Sequence, residues 1–383
     1  MNFSCLQDYL DTLPSVGIPG GELIVTQNNE TLFHGFFGYS DAAKTKKTAP
    51  SDLYLLYSSS KVMTVSAAMR AVEEGFLSLD DEVAKYIPEY KTLTVKDADG
   101  NIRPAKNKLL VRHLFMMASG VSGWYHTEEA PDPYIQTHPN ATTVEMAKEY
   151  ARRPLFFEPG THFSYGLSLD VLGAVVEVAS GIRFADYVKS RFAEPLGMEE
   201  FYYHHEDVSE ERIAEQYRMA APPSLTVVPK TAFCIMTPYF DAGGGGIITN
   251  ATSYVKFISA LANGGVGPNG ARVLSNESIE LLRTNSLDEV MLQDYYNSLG
   301  NPGYGYGLGV RVLMTQKDEK SGNESKSPVG EFGWGGAAGT YMLVSPEKRV
   351  AITYMQQVLN MGGFGYQDHP HNMIRDIVFD ILG

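Results

Sequence analysis

Segments patterned like β-strands lie at the two ends of this chain, and the long stretch between them is mostly helical. That order leaves few ways to build a core. Residues 22–26 and 31–38 are apolar runs separated by Gln27-Asn28-Asn29-Glu30, the signature of a β-hairpin. Strand patterning returns at residues 304–314, 339–344 and 349–356. Between them, 3.6-residue periodicity and stop signals predict helices over 58–74, 111–118, 143–152, 167–180, 184–196, 253–263 and 275–283. Short helices are expected at 3–13 and 372–382, and residues 202–240 read as irregular. Strands so far apart in sequence can share a sheet only if the two ends of the chain come together. The expected fold is therefore α/β of the α+β type, with one central antiparallel sheet flanked by helices. Residues 1–57 and 304–383 would form the sheet region, residues 58–303 a mainly helical insertion, and the whole one compact catalytic unit.

The junction between sheet and insertion carries Leu55-Leu56-Tyr57-Ser58-Ser59-Ser60-Lys61. A serine three residues before a lysine on one helix face brings a hydroxyl to an amine. An amine that takes the hydroxyl's proton makes a nucleophile. Ser-x-x-Lys alone is weak, for Ser253/Lys256 and Ser345/Lys348 match it too. Helical geometry separates the three. Lys61 shares its face with Val65, Ala68 and Val72 and should point into the core, leaving Ser66, Arg70 and Glu73 on a wet face. Lys256 lies beside Ser253, Ala260 and Asn263 and should reach solvent. Ser345-Pro346-Glu347-Lys348 reads as a turn between strands. Ser58 is then either a nucleophile or an ordinary helix N-cap.

Composition excludes several classes. A formal charge of −14 over 383 residues argues against nucleic-acid and anionic-membrane partners, which select basic patches. No run of about 18 apolar residues offers a membrane span. The first thirteen residues contain Asp8 and Asp11 and no basic residue, so no secretory signal is read there. The expectation is a cytoplasmic protein, or a chain whose leader has been removed. Two cysteines, Cys5 and Cys234, are too few for a disulfide framework. Neither His204-His205 nor His369-Pro370-His371 has the spacing of a zinc site, so these histidines read as surface or packing residues. No metal and no cofactor is expected.

A serine nucleophile needs a proton carrier and an oxyanion site. Tyr165, just ahead of an apolar helix, could relay protons if it lay near Lys61, because a cation and a helix N-terminus both favour a phenolate. It could equally be one of 23 tyrosines that simply pack. Gly333-Trp334-Gly335-Gly336-Ala337-Ala338-Gly339 precedes a strand and would let backbone approach a ligand, or form a plain turn. Glycines 243–246 lack a following Gly-Lys-Ser/Thr, so they are no phosphate loop. Gly-x-Ser-x-Gly is absent, which argues against a nucleophile elbow.

Taken together, the chain resembles the serine β-lactamase and penicillin-binding protein superfamily. Within it, the likeness is to the branch of class C β-lactamases, D-alanyl-D-alanine carboxypeptidases and family VIII esterases, closest in character to the last. Ser58-Ser59-Ser60-Lys61 is similar to the first motif. Val111-Arg112-His113-Leu114 with Ser119-Gly120, Glu158-Pro159-Gly160 through Tyr165, and Pro195-Leu196-Gly197-Met198 follow in family order, and Trp334-Gly335-Gly336 stands where the third motif belongs. The resemblance implies acylation of Ser58, proton transfers shared by Lys61 and Tyr165, and an oxyanion hole from the N–H groups of Ser58 and Ala337. Two positions depart from the pattern. Leu167 replaces the usual Asn of the second motif, and Trp334 the usual Lys or His of the third. Both should make the pocket more apolar, which fits an esterase. The expected activity is hydrolysis of a small-molecule carboxylic ester. The alternatives are β-lactamase or D-alanyl-D-alanine carboxypeptidase action and acyl transfer. Tyr125, Tyr203, Tyr304 and Trp334, with Gly335, Gly336 and Leu167, are the expected substrate-binding residues. Substrate choice should depend on loops at 124–140, 202–240 and 288–303. Oligomeric state is not legible.

Overall fold

The computed structural model describes residues 2–97, 99–123, 132–230, 237–301, 303–319, 321–361, 364 and 368–383. Its centre is a seven-stranded antiparallel sheet. Two strands come from the N-terminal end, β1 (Gly20–Gln27) and β2 (Glu30–Gly38). Five come from the C-terminal end: β3 (Tyr304–Tyr306), β4 (Arg311–Leu313), β5 (Phe332–Gly335), β6 (Tyr341–Ser345) and β7 (Val350–Met355). The spatial order is β3-β4-β5-β6-β7-β1-β2. The ends of the chain meet where β1 pairs with β7, in register from Glu22↔Met355 to Gln27↔Val350.

Both faces of the sheet are covered, and the two-residue strand period sorts the side chains between them. Leu23, Val25, Leu343 and Ile352 pack with Leu6 and Leu10 of the Ser4–Thr12 helix and with Ile374 and Val378 of the Pro370–Leu382 helix. Ile24, Met342, Val344 and Ala351 face the other way, onto Tyr254, Phe257, Ile258 and Leu261 of the Ala251–Ala262 helix. Full burial of each aliphatic side chain stabilises the fold by about 1.5–3 kcal/mol.

The helix Ser60–Glu73 runs between the sheet and the Ser168–Ser180 helix and is buried from Ser60 to Met69 without a break. Ser66 is therefore fully buried rather than on a wet face. Local hydrogen bonds make that possible. Ser66 Oγ donates to the Val62 carbonyl at 2.8 Å, and Thr64 Oγ1 to that of Gly243 at 2.7 Å.

Three further segments differ from their sequence reading. Residues 304–314 are two strands folded back at Gly307–Val310, not one. Gly309 sits there at φ +87°, and a Cβ on it would lie 2.1 Å from Val65 Cγ1. Residues 202–240 include a hairpin, Gln216–Ala221 with Ser224–Val228, whose half-exposed pattern gave little alternation to read. Residues 288–303 carry the helix Glu289–Leu299, capped by the Asp288 carboxylate at the Met291 N–H.

Candidate active site

The chain leaves a two-residue strand, Tyr54–Leu55, and enters the serine helix through Tyr57 at φ +47°. A left-handed conformation is strained for a residue with a side chain and persists only where packing enforces it. Tyr57 is held by Leu53, Leu55, Ile248 and Ala338, and its hydroxyl donates to Gln216 Oε1. The sharp entry leaves Ser58 half-buried at the start of the helix, one turn from Lys61. No side-chain capping bond forms at either start of this helical stretch.

Lys61 is fully buried. Its Nζ donates to Ser58 Oγ at 3.2 Å and to the Gly244 carbonyl at 2.5 Å. It also lies 4.8 Å from the centre of the Tyr165 ring. The other two Ser-x-x-Lys pairs do not couple. Ser253 Oγ accepts from the Glu200 N–H, Lys256 donates to the Gly197 carbonyl, and Ser345 ends β6 ahead of a turn.

β5 forms the opposite wall. Trp334 stacks on Tyr165 with centroids 5.5 Å apart and donates its indole N–H to the Tyr165 hydroxyl at 3.1 Å. Tyr306 meets Trp334 edge-on at 5.3 Å. The turn after β5 is tied to the serine segment by Thr340. Its Oγ1 donates to the Leu56 carbonyl at 3.0 Å and lies 2.9 Å from Ser59 Oγ. The approach is so close that a Cβ on Gly336 would fall 2.2 Å from Thr340 Oγ1 and 2.3 Å from the Leu56 oxygen. Ala337 follows on this turn and is exposed. Among the described residues, neither the Ser58 nor the Ala337 N–H donates to a protein acceptor.

A cavity of about 520 Å³ opens over these groups, lined by Ser58, Tyr165, Trp334, Gly335, Gly336, Ala337 and Tyr304. Two expected wall residues lie elsewhere. Leu167 is core at the start of the Ser168–Ser180 helix, and Tyr203 is wedged in the core between Phe184 and Phe201. Tyr125 lies outside the described residues. The cavity wall is not only aromatic, for Asn301, Arg311, His369, His371 and Asn372 also line it. They come from β4, from the end of the Glu289–Leu299 helix and from the start of the last helix. Nothing in the sequence linked those segments to Ser58, although the paired histidines marked one of them.

The polar wall is a stack. The Arg311 guanidinium lies 4.5 Å over the Tyr341 ring, Tyr341 stacks on His371 at 4.5 Å, and His371 on His369 at 3.7 Å. Burial pushes His369 down to about 4. Burial, with His369, Arg311 and Arg375 nearby, holds His371 well below its ordinary value. Both imidazoles are uncharged at neutral pH. Burial also raises the carboxyl of Glu331, against the pull of Arg311, which stands 3.6 Å away. Among the described residues, no group of three or more His, Cys, Asp or Glu is placed to hold a metal ion.

The family model of the beta-lactamases matches residues 5–371. Esterase EstB of Burkholderia gladioli is 27% identical over 336 residues, 84% of this chain and 81% of the esterase. Acyltransferase calJ of Penicillium decumbens is 24% identical over 370 residues, 91% of this chain and 86% of that protein. Among solved structures, EstCE1, a hydrolase with promiscuous acyltransferase activity, superposes with a TM-score of 0.79 at 22% identity, covering 98% of each chain.

Proposed function

The chain belongs to the beta-lactamase family, and from that premise we propose that it is a serine hydrolase cleaving carboxylic esters through an acyl-enzyme on Ser58. One observation carries this reading: Ser58 Oγ stands 3.2 Å from the amine of a fully buried lysine, at the floor of a cavity large enough for a small ester.

In the proposed cycle, Ser58 Oγ attacks the ester carbonyl, and its proton passes to the Lys61–Tyr165 pair. The C–O π electrons move onto oxygen, where the N–H groups of Ser58 and Ala337 hold the charge. Collapse expels the alcohol, which takes up a proton from the same pair. Water then attacks the acyl carbonyl, gives up a proton in its turn, and releases the acid with Ser58 restored. Which of Lys61 and Tyr165 holds the proton at each step is a property of the coupled pair.

Trp334 favours an ester over a β-lactam or a D-alanyl peptide, because it puts a neutral indole where those enzymes usually carry Lys or His. The likeness to an esterase points the same way. A second reading, acyl transfer to an alcohol in place of water, draws on the likeness to calJ.

The test is hydrolysis of a short-chain p-nitrophenyl ester by wild type and Ser58→Ala, with nitrocefin and added alcohols in parallel. The expected outcome is ester turnover that falls to background in the variant. Equal activity in both would remove Ser58 from the chemistry. Nitrocefin turnover matching that of the ester would favour a lactamase, and a transesterified product an acyltransferase.

A further inference from the structure

Asp170 lies in the first turn of the Ser168–Ser180 helix and is 1% exposed. A buried carboxylate is costly unless it is well bonded. Its Oδ1 accepts the Gly244 N–H at 3.1 Å. The carbonyl of that same residue accepts from Lys61 Nζ at 2.5 Å. Asp170 and Lys61 thus grip one glycine from opposite sides.

The rest of the glycine turn is clamped as well. Gly243 is pressed so closely on the Asp170 helix that a Cβ would lie 2.3 Å from the Leu169 oxygen. Its own carbonyl accepts from Thr64 Oγ1. On the far side, the Ile247 N–H donates to Ser60 Oγ at 3.2 Å. Glycines 243–246 are therefore a spacer held between two helices, and Asp170 fixes the member that touches the lysine.

We infer that Asp170 is a positioning residue for Lys61, acting through the Gly244 backbone to hold the amine at Ser58. The inference rests on the serine-hydrolase reading above. A displacement of about 1 Å in such a group costs on the order of 100-fold in rate. A simpler role, an acidic residue favouring the start of its own helix, would affect stability and leave the chemistry alone.

The experiment compares Asp170→Asn and Asp170→Ala with wild type. Ser58 labelling by a small fluorophosphonate is timed by intact mass, hydrogen exchange is followed at the Gly244 amide, and circular dichroism reports folding. Asn keeps an acceptor oxygen, so labelling within about threefold of wild type is expected. Ala should label on the order of 100-fold more slowly, with a folded spectrum and faster exchange at Gly244. If the Ala variant does not fold, Asp170→Ser, whose hydroxyl is too short to span the gap, takes its place. Wild-type labelling rates in the truncated variant overturn the inference. So does slow labelling with the Gly244 amide still protected, or an Asn variant that folds but is as slow as Ala. A wild-type enzyme that does not label at Ser58 would instead overturn the hydrolase reading, while amide exchange still reports the Asp170–Gly244 contact.

Discussion

Trp334 donates its indole N–H to the hydroxyl of Tyr165 across two stacked rings, 3.1 Å from nitrogen to oxygen. The bond fixes the hydroxyl's direction without bringing a charge to the cavity. Trp334→Phe keeps an aromatic face and deletes the donor. A neutral hydrogen bond is worth about 1 kcal/mol, so kcat on a p-nitrophenyl ester should fall roughly fivefold. Trp334→Lys should raise nitrocefin turnover relative to ester turnover. An unchanged ratio would show that this position does not set substrate class.

Lys61→Met keeps most of the side-chain volume and removes the amine. The Gly244 carbonyl loses its partner and Ser58 loses its proton acceptor. Ester hydrolysis should drop by about 10²- to 10⁴-fold, the usual worth of a general base. Residual activity within tenfold of wild type would mean that Tyr165 suffices alone.

The adjacent glycines of β5 and its turn should respond differently to one methyl group. On Gly336 it meets Thr340 and Leu56 at impossible distances, so the turn bearing Ala337 must shift away from Ser58. On Gly335 the nearest atom is 3.4 Å away, an ordinary contact. Gly336→Ala should lose about 10²- to 10³-fold in kcat, the cost of one oxyanion donor, while Gly335→Ala leaves the turn in place. Steady-state kinetics and a crystal structure of each variant would check this.

Asp241, just ahead of the glycine turn, gives a pH signature. Burial opposes its ionisation, but hydrogen bonds from His204, the Ala185 N–H and Arg183 outweigh it and hold the carboxyl below its usual range. A carboxyl depressed in the folded state stabilises the protein above its unfolded pKa of about 3.9, and that stability is lost as pH falls through the folded value. Asp241→Asn should lower Tm at pH 7, and the gap should close progressively below about pH 4. Parallel Tm curves for the two proteins from pH 7 to pH 3 would contradict it.

How much was legible depended on whether a signal was local. The β1–β2 hairpin, the serine helix and the last helix follow from periodicity and stop signals within a few residues. Ser58 and Lys61 could be paired because one helical turn joins them; the glycine run at 333–339 fitted a close backbone approach or a plain turn, and the family resemblance alone singled out Trp334 and Ala337. The polar wall was not. Arg311 reaches the cavity only because β4 pairs beside β5, and His371 only because the last helix lies against Tyr341. The Asp170–Gly244 contact spans 74 positions and has no motif at either end. Leu167 shows the converse error. Its place in a motif suggested a substrate contact, but burial turned it into the core.

The pairing of Glu22 with Met355 also sets an order of events during synthesis. The serine helix leaves the ribosome well before its facing wall, which includes Trp334, His371 and Asn372. Until then β1 and β2 have no strand partner beyond each other, and a two-stranded hairpin is marginal in water. A sheet closed by such distant contacts forms slowly and leaves strand edges open to wrong partners meanwhile. A nascent chain cut short before β7 would therefore carry Ser58, Lys61 and Tyr165 and still be inert. Ribosome-bound chains of increasing length should begin to react with a serine probe only once the last helix is free.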